Sequence, residues 1–162
     1  LIKIEPDIFM KKIPVFALLL FSCLSCSLFG QNSLPDRWEP GMTIQLTYGG
    51  GMRYYSYELL VSDTGSYYME NNEGRIIKSK INFYKEQLDN LLAFLKEQQF
   101  DQIQSELTAP MHDKGSELIT IQWGQKKIAI GTGHAKEIID AHKSRYLKVR
   151  NYLQQMRSSK NN

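Results

Sequence analysis

Residues 42–83 read MTIQLTYGGGMRYYSYELLVSDTGSYYMENNEGRIIKSKINF, and the alternation within them decides the fold. Ile44, Leu46 and Tyr48 share one side of the first run, with Thr43, Gln45 and Thr47 on the other. That period of two belongs to a half-buried strand. Gly49-Gly50-Gly51 breaks it, and the next run sets Tyr55, Tyr57, Leu59 and Val61 on one face. Asp63-Thr64-Gly65 is a turn signal, SYYME a third strand, and Asn71-Asn72-Glu73-Gly74 a second turn. RIIKSKINF closes the series with Ile77, Ile81 and Phe83 on one face. Short turns between alternating runs predict a four-strand antiparallel meander.

Past residue 83 the period changes. Between Tyr84 and Gln99 the leucines fall at 88, 91, 92 and 95, the spacing of an amphipathic helix, with Asn82 as expected N-cap. Phe100 and Ile103 are expected to fold back at its end, and residues 104–116 read as a polar loop. ELITIQW and KKIAIGT flank Gly124-Gln125, where glycine in first place suits a type II′ hairpin turn. From Ala135 to Met156, Ile138, Ile139, His142, Tyr146, Val149, Leu153 and Met156 predict a closing helix. The expected architecture is α+β: an antiparallel meander sheet in the order ββββ-α-ββ-α, packed by two amphipathic helices. Residues 42–156 form the single domain, 31–41 an irregular lead-in with two prolines, and 157–162 a frayed tail.

Upstream, Lys11 and Lys12 precede the uncharged apolar run of residues 13–29, IPVFALLLFSCLSCSLF. The run is short for a membrane-spanning helix and carries Pro14 and several serines, so an export signal is the reading. MKKIPVFALLL resembles a bacterial signal peptide, which makes Met10 the expected start and residues 1–9 an upstream extension. Two processing outcomes stand open: cleavage after Gly30, or lipidation of Cys23 or Cys26 at a lipobox-like stretch. Both cysteines lie within residues 1–30, and residues 31–162 hold none. The domain then depends on its apolar core rather than disulfides, and thiol catalysis, zinc–thiolate and iron–sulfur chemistry are excluded for it.

The 162 residues include 20 Lys+Arg and 17 Asp+Glu for a net charge of +3, and 42% are hydrophobic. That supports one folded domain and does not call for nucleic acid. Charge is nonetheless divided: residues 31–125 hold 8 basic and 13 acidic side chains, residues 126–162 hold 9 and 2. Lys136, Lys143 and Arg150, spaced by seven, are expected along one solvated side of the last helix.

No dinucleotide or P-loop signature occurs, and Gly49-Gly50-Gly51 joins strand to strand, so no cofactor is expected. The histidines are His112, His134 and His142. His134 and His142 lie eight apart, so their rings diverge on a helix, and no metal site is expected. His112-Asp113 with Ser116-Glu117 make the one cluster of acid–base residues; Asp113 and Gly115 more simply make a turn, and a hydrolase using His112 and Asp113 is the alternative function. Six of nine tyrosines crowd into residues 48–68. Most suit strand packing, which leaves Tyr54 and Tyr68 outward as candidate ligand-binding residues.

The element order and leader resemble small bacterial exported proteins built from a meander, a leucine-rich helix, a hairpin and a closing helix. The expectation is a non-catalytic cell-envelope module, periplasmic, outer-membrane-associated or secreted. Its partner would be an envelope protein or a polysaccharide, with membrane contact only through a lipid anchor.

Overall fold

Residue 44 shows how the sheet is built: Ile44 stands opposite Val61 on one neighbouring strand and Ile121 on the other, and all three are buried. A computed structural model describes residues 33–51 and 54–158. Met10, Cys23, Cys26, Gly30 and residues 159–162 of the tail lie outside them.

Four strands come first: β1 (Thr43–Gly49), β2 (Tyr55–Ser62), β3 (Ser66–Asn72) and β4 (Arg75–Ile81). Helix α1 (Lys85–Glu97) follows, then a 3₁₀ turn over Phe100–Gln102 and strands β5 (Ser105–Leu107), β6 (Ser116–Trp123), β7 (Lys126–Thr132) and β8 (Lys136–Ile138). Helix α2 (Asp140–Ser158) closes the chain. Six strands make one antiparallel sheet in the order β4-β3-β2-β1-β6-β7, and β5 pairs with β8 in a second, two-stranded sheet. The fold is α+β.

One face of the large sheet carries the core. Leu46 opposes Leu59 and Ile119, and Ile121 opposes Ile128, so the apolar side chains of neighbouring strands stand in register. Leu88, Leu91, Leu92 and Leu95 of α1 and Tyr146, Val149, Leu153 and Met156 of α2 complete this cluster. Phe94 stacks on Tyr152 with ring centres 4.5 Å apart, joining the two helices. The other face keeps polar pairs such as Gln45 Nε2 donating to Glu58 Oε1 at 2.8 Å. Among the described residues no helix is long and apolar enough to cross a membrane.

The turns follow their residues. Glu73 (φ 52°) and Gly74 (φ 88°) both occupy the left-handed region, as a type I′ hairpin requires. At the β6–β7 turn Gly124 alone is left-handed, at φ 53°, consistent with the expected II′ geometry.

Several expectations are corrected. Helix α2 begins at Asp140 rather than Ala135, because residues 136–138 pair with Ser105–Leu107 as β8 instead of coiling. Lys136 therefore sits on a strand, away from the helical row of Lys143 and Arg150. At its other end α2 runs on through Ser158, past the expected stop at Met156. The loop 104–116 contains β5. The N-cap of α1 is Tyr84, not Asn82: Gln87 Oε1 reaches back to accept the Tyr84 N–H at 2.9 Å, satisfying a donor that a helix start leaves free. Ile77 is 48% exposed rather than packed, since β4 is an edge strand with a neighbour on one side only.

Candidate functional site

The antiparallel order brings four connections to one end of the large sheet: the β1–β2 loop, the β3–β4 turn, residues 108–115 before β6, and the turn after β7. Strand pairing sets their spacing. Gly49 opposes Ser56 and Ser116, and Tyr55 opposes Asn72. Close approach of backbones explains the glycines there. A Cβ on Gly51 would stand 3.3 Å from the Asp113 carbonyl, and one on Gly115 would stand 2.7 Å from Cζ of Tyr48.

Between the first two of these connections lies an open cleft of about 700 Å³, lined by Gly50, Gly51, Tyr54, Tyr55, Ser56, Asn71, Glu73 and Gly74. Tyr54 is 88% exposed, as its place on the outward alternation predicts. Its carbonyl accepts the Glu73 N–H at 2.9 Å, and Asn71 Oδ1 accepts the Gly74 N–H at 3.0 Å. These bonds hold Glu73 in a left-handed conformation that a non-glycine residue adopts only at some cost. The lining thus offers aromatic faces, an amide, a hydroxyl and one carboxylate, mixed chemistry suited to a polar ligand with hydrophobic faces.

Tyr68 is not outward. It is 7% exposed, because it stands opposite Leu59 on the core side of the sheet. Its hydroxyl donates to Glu70 Oε2 at 2.8 Å, and the Arg157 guanidinium lies 4.6 Å from its ring centre. Burial raises its phenol pKa, and the bond to Glu70 adds to the effect.

Next to Tyr68 the sheet carries an aromatic row. The rings of Tyr48 and Tyr57 stack at 5.4 Å, and Tyr57 lies 6.1 Å from Tyr55 and 6.3 Å from Tyr68. The row ends on Glu117, a carboxylate only 8% exposed. Tyr57 donates to its Oε2 at 3.1 Å and Tyr146 to its Oε1 at 3.0 Å, while Gln154 Nε2 donates to the Tyr57 oxygen at 2.9 Å. Desolvation, reinforced by Glu117, pushes the Tyr57 pKa up to about 12 and raises that of Tyr146 further. These phenols stay neutral and act as donors. The sequence set Glu117 with Ser116 beside His112 and Asp113 in a loop cluster; the structure instead buries it on β6, at an inward place on the side that also carries Ile119, Ile121 and Trp123.

His112 and Asp113 are both exposed, and Asp113 is left-handed at φ 64°. The structure sets the ring of His112 beside that of His134, with centres 5.7 Å apart. His142 lies elsewhere, on α2, its Nδ1 accepting the Gln104 N–H at 2.9 Å. Among the described residues no three His, Cys, Asp or Glu side chains converge as a metal cluster. A further hollow of about 890 Å³ lies between residues 36–40 and α1, bordered by Trp38, Leu92 and the Lys96–Asp36 ion pair at 2.8 Å.

No protein-family model matches this chain, and no curated protein matches it either.

Proposed function

We propose that this chain is an exported, non-catalytic cell-envelope module that binds a polysaccharide strand in the cleft at the loop end of its sheet. The observation that carries the reading is the cleft itself: Tyr54 and Tyr55 stand with Ser56, Asn71 and Glu73 around about 700 Å³. Sugar rings offer C–H faces that stack on aromatic rings, and hydroxyls that pair with amides and carboxylates. That volume falls within the usual range for ligand sites. Cleaving a glycosidic bond takes two carboxyl groups on opposite sides of it, whereas the described lining supplies Glu73 alone. Export is supported by Lys11 and Lys12 ahead of the uncharged run 13–29.

The test is co-sedimentation with insoluble cell-wall glycan, comparing wild type with Tyr54→Ala and Asn71→Ala. Saturable binding weakened at least about tenfold in each variant, roughly 1.4 kcal/mol, is expected. Wild type left in the supernatant, or variants that bind as well as wild type, would refute the assignment. Mass spectrometry of the protein from envelope fractions tests export: a mature terminus at Gln31, or an acylated Cys23 or Cys26, supports it, and an intact leader in the cytoplasm defeats it.

A further inference from the structure

The turn after β7 and the loop before β6 are laced together by backbone. The Thr108 N–H donates to the Ala135 carbonyl at 3.0 Å, and the Met111 N–H to the His134 carbonyl at 2.7 Å. The His134 ring answers, with Nδ1 2.8 Å from the Met111 carbonyl oxygen. A carbonyl only accepts, so Nδ1 carries the hydrogen and Nε2 of the neutral ring presents its lone pair. Metal-ligating histidines are held this way, with the second ring nitrogen donating to a carbonyl that fixes tautomer and orientation.

The same lacing carries His112, the next residue after Met111, to the side of His134. The two ring centres are 5.7 Å apart with planes inclined at 60°. Both residues are exposed, so burial of apolar surface does not account for the pairing. Two imidazoles on one cation have metal–nitrogen bonds of about 2.1 Å and ring centres about 1.1 Å beyond, which places those centres roughly 4.5 Å apart at the right angle that copper(II) favours and roughly 5 Å apart at a tetrahedral one. A small rotation of exposed side chains covers the difference.

We propose that His112 and His134 form a two-imidazole site for a borderline divalent transition metal, with copper(II) held tightest. Imidazole nitrogen suits copper, nickel and zinc, whereas calcium and magnesium ask for oxygen ligands. With two protein ligands the remaining positions stay open to water or to an external donor. The cation is therefore exchangeable and is not a structural element of the fold. The Lys114–Glu137 ion pair joins the loop before β6 to β8 and keeps that carboxylate engaged.

The test is calorimetric titration of the full, tag-free chain with copper(II), its thiols alkylated beforehand, together with electron paramagnetic resonance of the complex. His134→Asn is the informative variant: its amide can still donate to the Met111 carbonyl but cannot reach the cation. Expected are a saturable site with two nitrogen ligands in wild type and affinity at least about tenfold weaker in both His112→Ala and His134→Asn. His142→Ala should bind as wild type does. No saturable binding in wild type, unchanged affinity in His112→Ala, or a loss confined to His142→Ala would overturn the site.

Discussion

The Tyr146 hydroxyl, on α2, donates to Oε1 of Glu117 at 3.0 Å, while Tyr57 of β2 holds the other oxygen of the same carboxylate. One carboxylate thereby ties the closing helix to two strands of the sheet. A buried carboxylate keeps its place only while its lone pairs are satisfied. Tyr146→Phe should cost about 1–3 kcal/mol, as should Tyr57→Phe. Because both losses fall on one group, the double variant should depart from the sum by more than about 0.5 kcal/mol. Urea unfolding at neutral pH reads this, and additive costs would show that the two bonds act independently.

Alkali should weaken the fold through the same tyrosines. An unfolded phenol ionises near pH 10, whereas folded Tyr57 keeps its proton to about 12. Below pH 10 both states are protonated and the full stability is present. Between pH 10 and 12 the unfolded state alone releases its proton, so stability falls as pH rises. Tyr57 is half-buried, so after allowance for solvent screening its share is about 1 kcal/mol. Unfolding midpoints should drop from pH 9.5 to pH 11.5, less steeply in Tyr57→Phe; equal slopes would contradict this origin.

Leu92 is 2% exposed where α1 meets the sheet. Leu92→Ala should cost about 2–5 kcal/mol, combining lost transfer energy with the cavity left behind. A cost below about 0.5 kcal/mol, the scale of surface changes, would mean that the helix packs elsewhere.

Glu73 holds φ 52° in a turn where asparagine is favoured. Glu73→Asn should stabilise the hairpin by about 0.5–1 kcal/mol while weakening glycan binding. A thermal melt and the co-sedimentation assay together decide whether stability is surrendered at this position for the sake of the cleft.

The meander, the leucine helix and the β6–β7 hairpin were legible because each is set by local periodicity. Ile44, Leu46, Leu59 and Val61 alternate, and Leu88, Leu91, Leu92 and Leu95 recur at helical spacing. The start of α2 was not legible, because Ile138 and Ile139 fit a helical stripe as well as a strand. Pairing with Ser105, which is distant in sequence, decided for the strand. Tyr67 and Tyr68 are adjacent aromatics of equal strand preference; the register against Leu59 chose which turned inward. For the cleft, Tyr54 was visible from alternation, whereas Asn71 and Glu73 belonged to an ordinary turn signal. Glu117 with Tyr57 and Tyr146, and His112 with His134, meet only through tertiary pairing, which no local pattern encodes.

The sheet order also sets a timetable for synthesis. β1 is made first yet lies at the centre, paired with β2 on one side and with β6, ending at Trp123, on the other. At ribosomal rates of about 5–20 residues per second, roughly 4–15 seconds pass between β1 and the end of β6. Through that interval the nascent meander has one unpaired edge at what will be its middle, with Ile44 and Leu46 lacking half their neighbours. An open edge of this kind pairs readily with any strand at hand. The growing chain thus has a window in which a chaperone can hold it unfolded, and that window closes when β6 arrives.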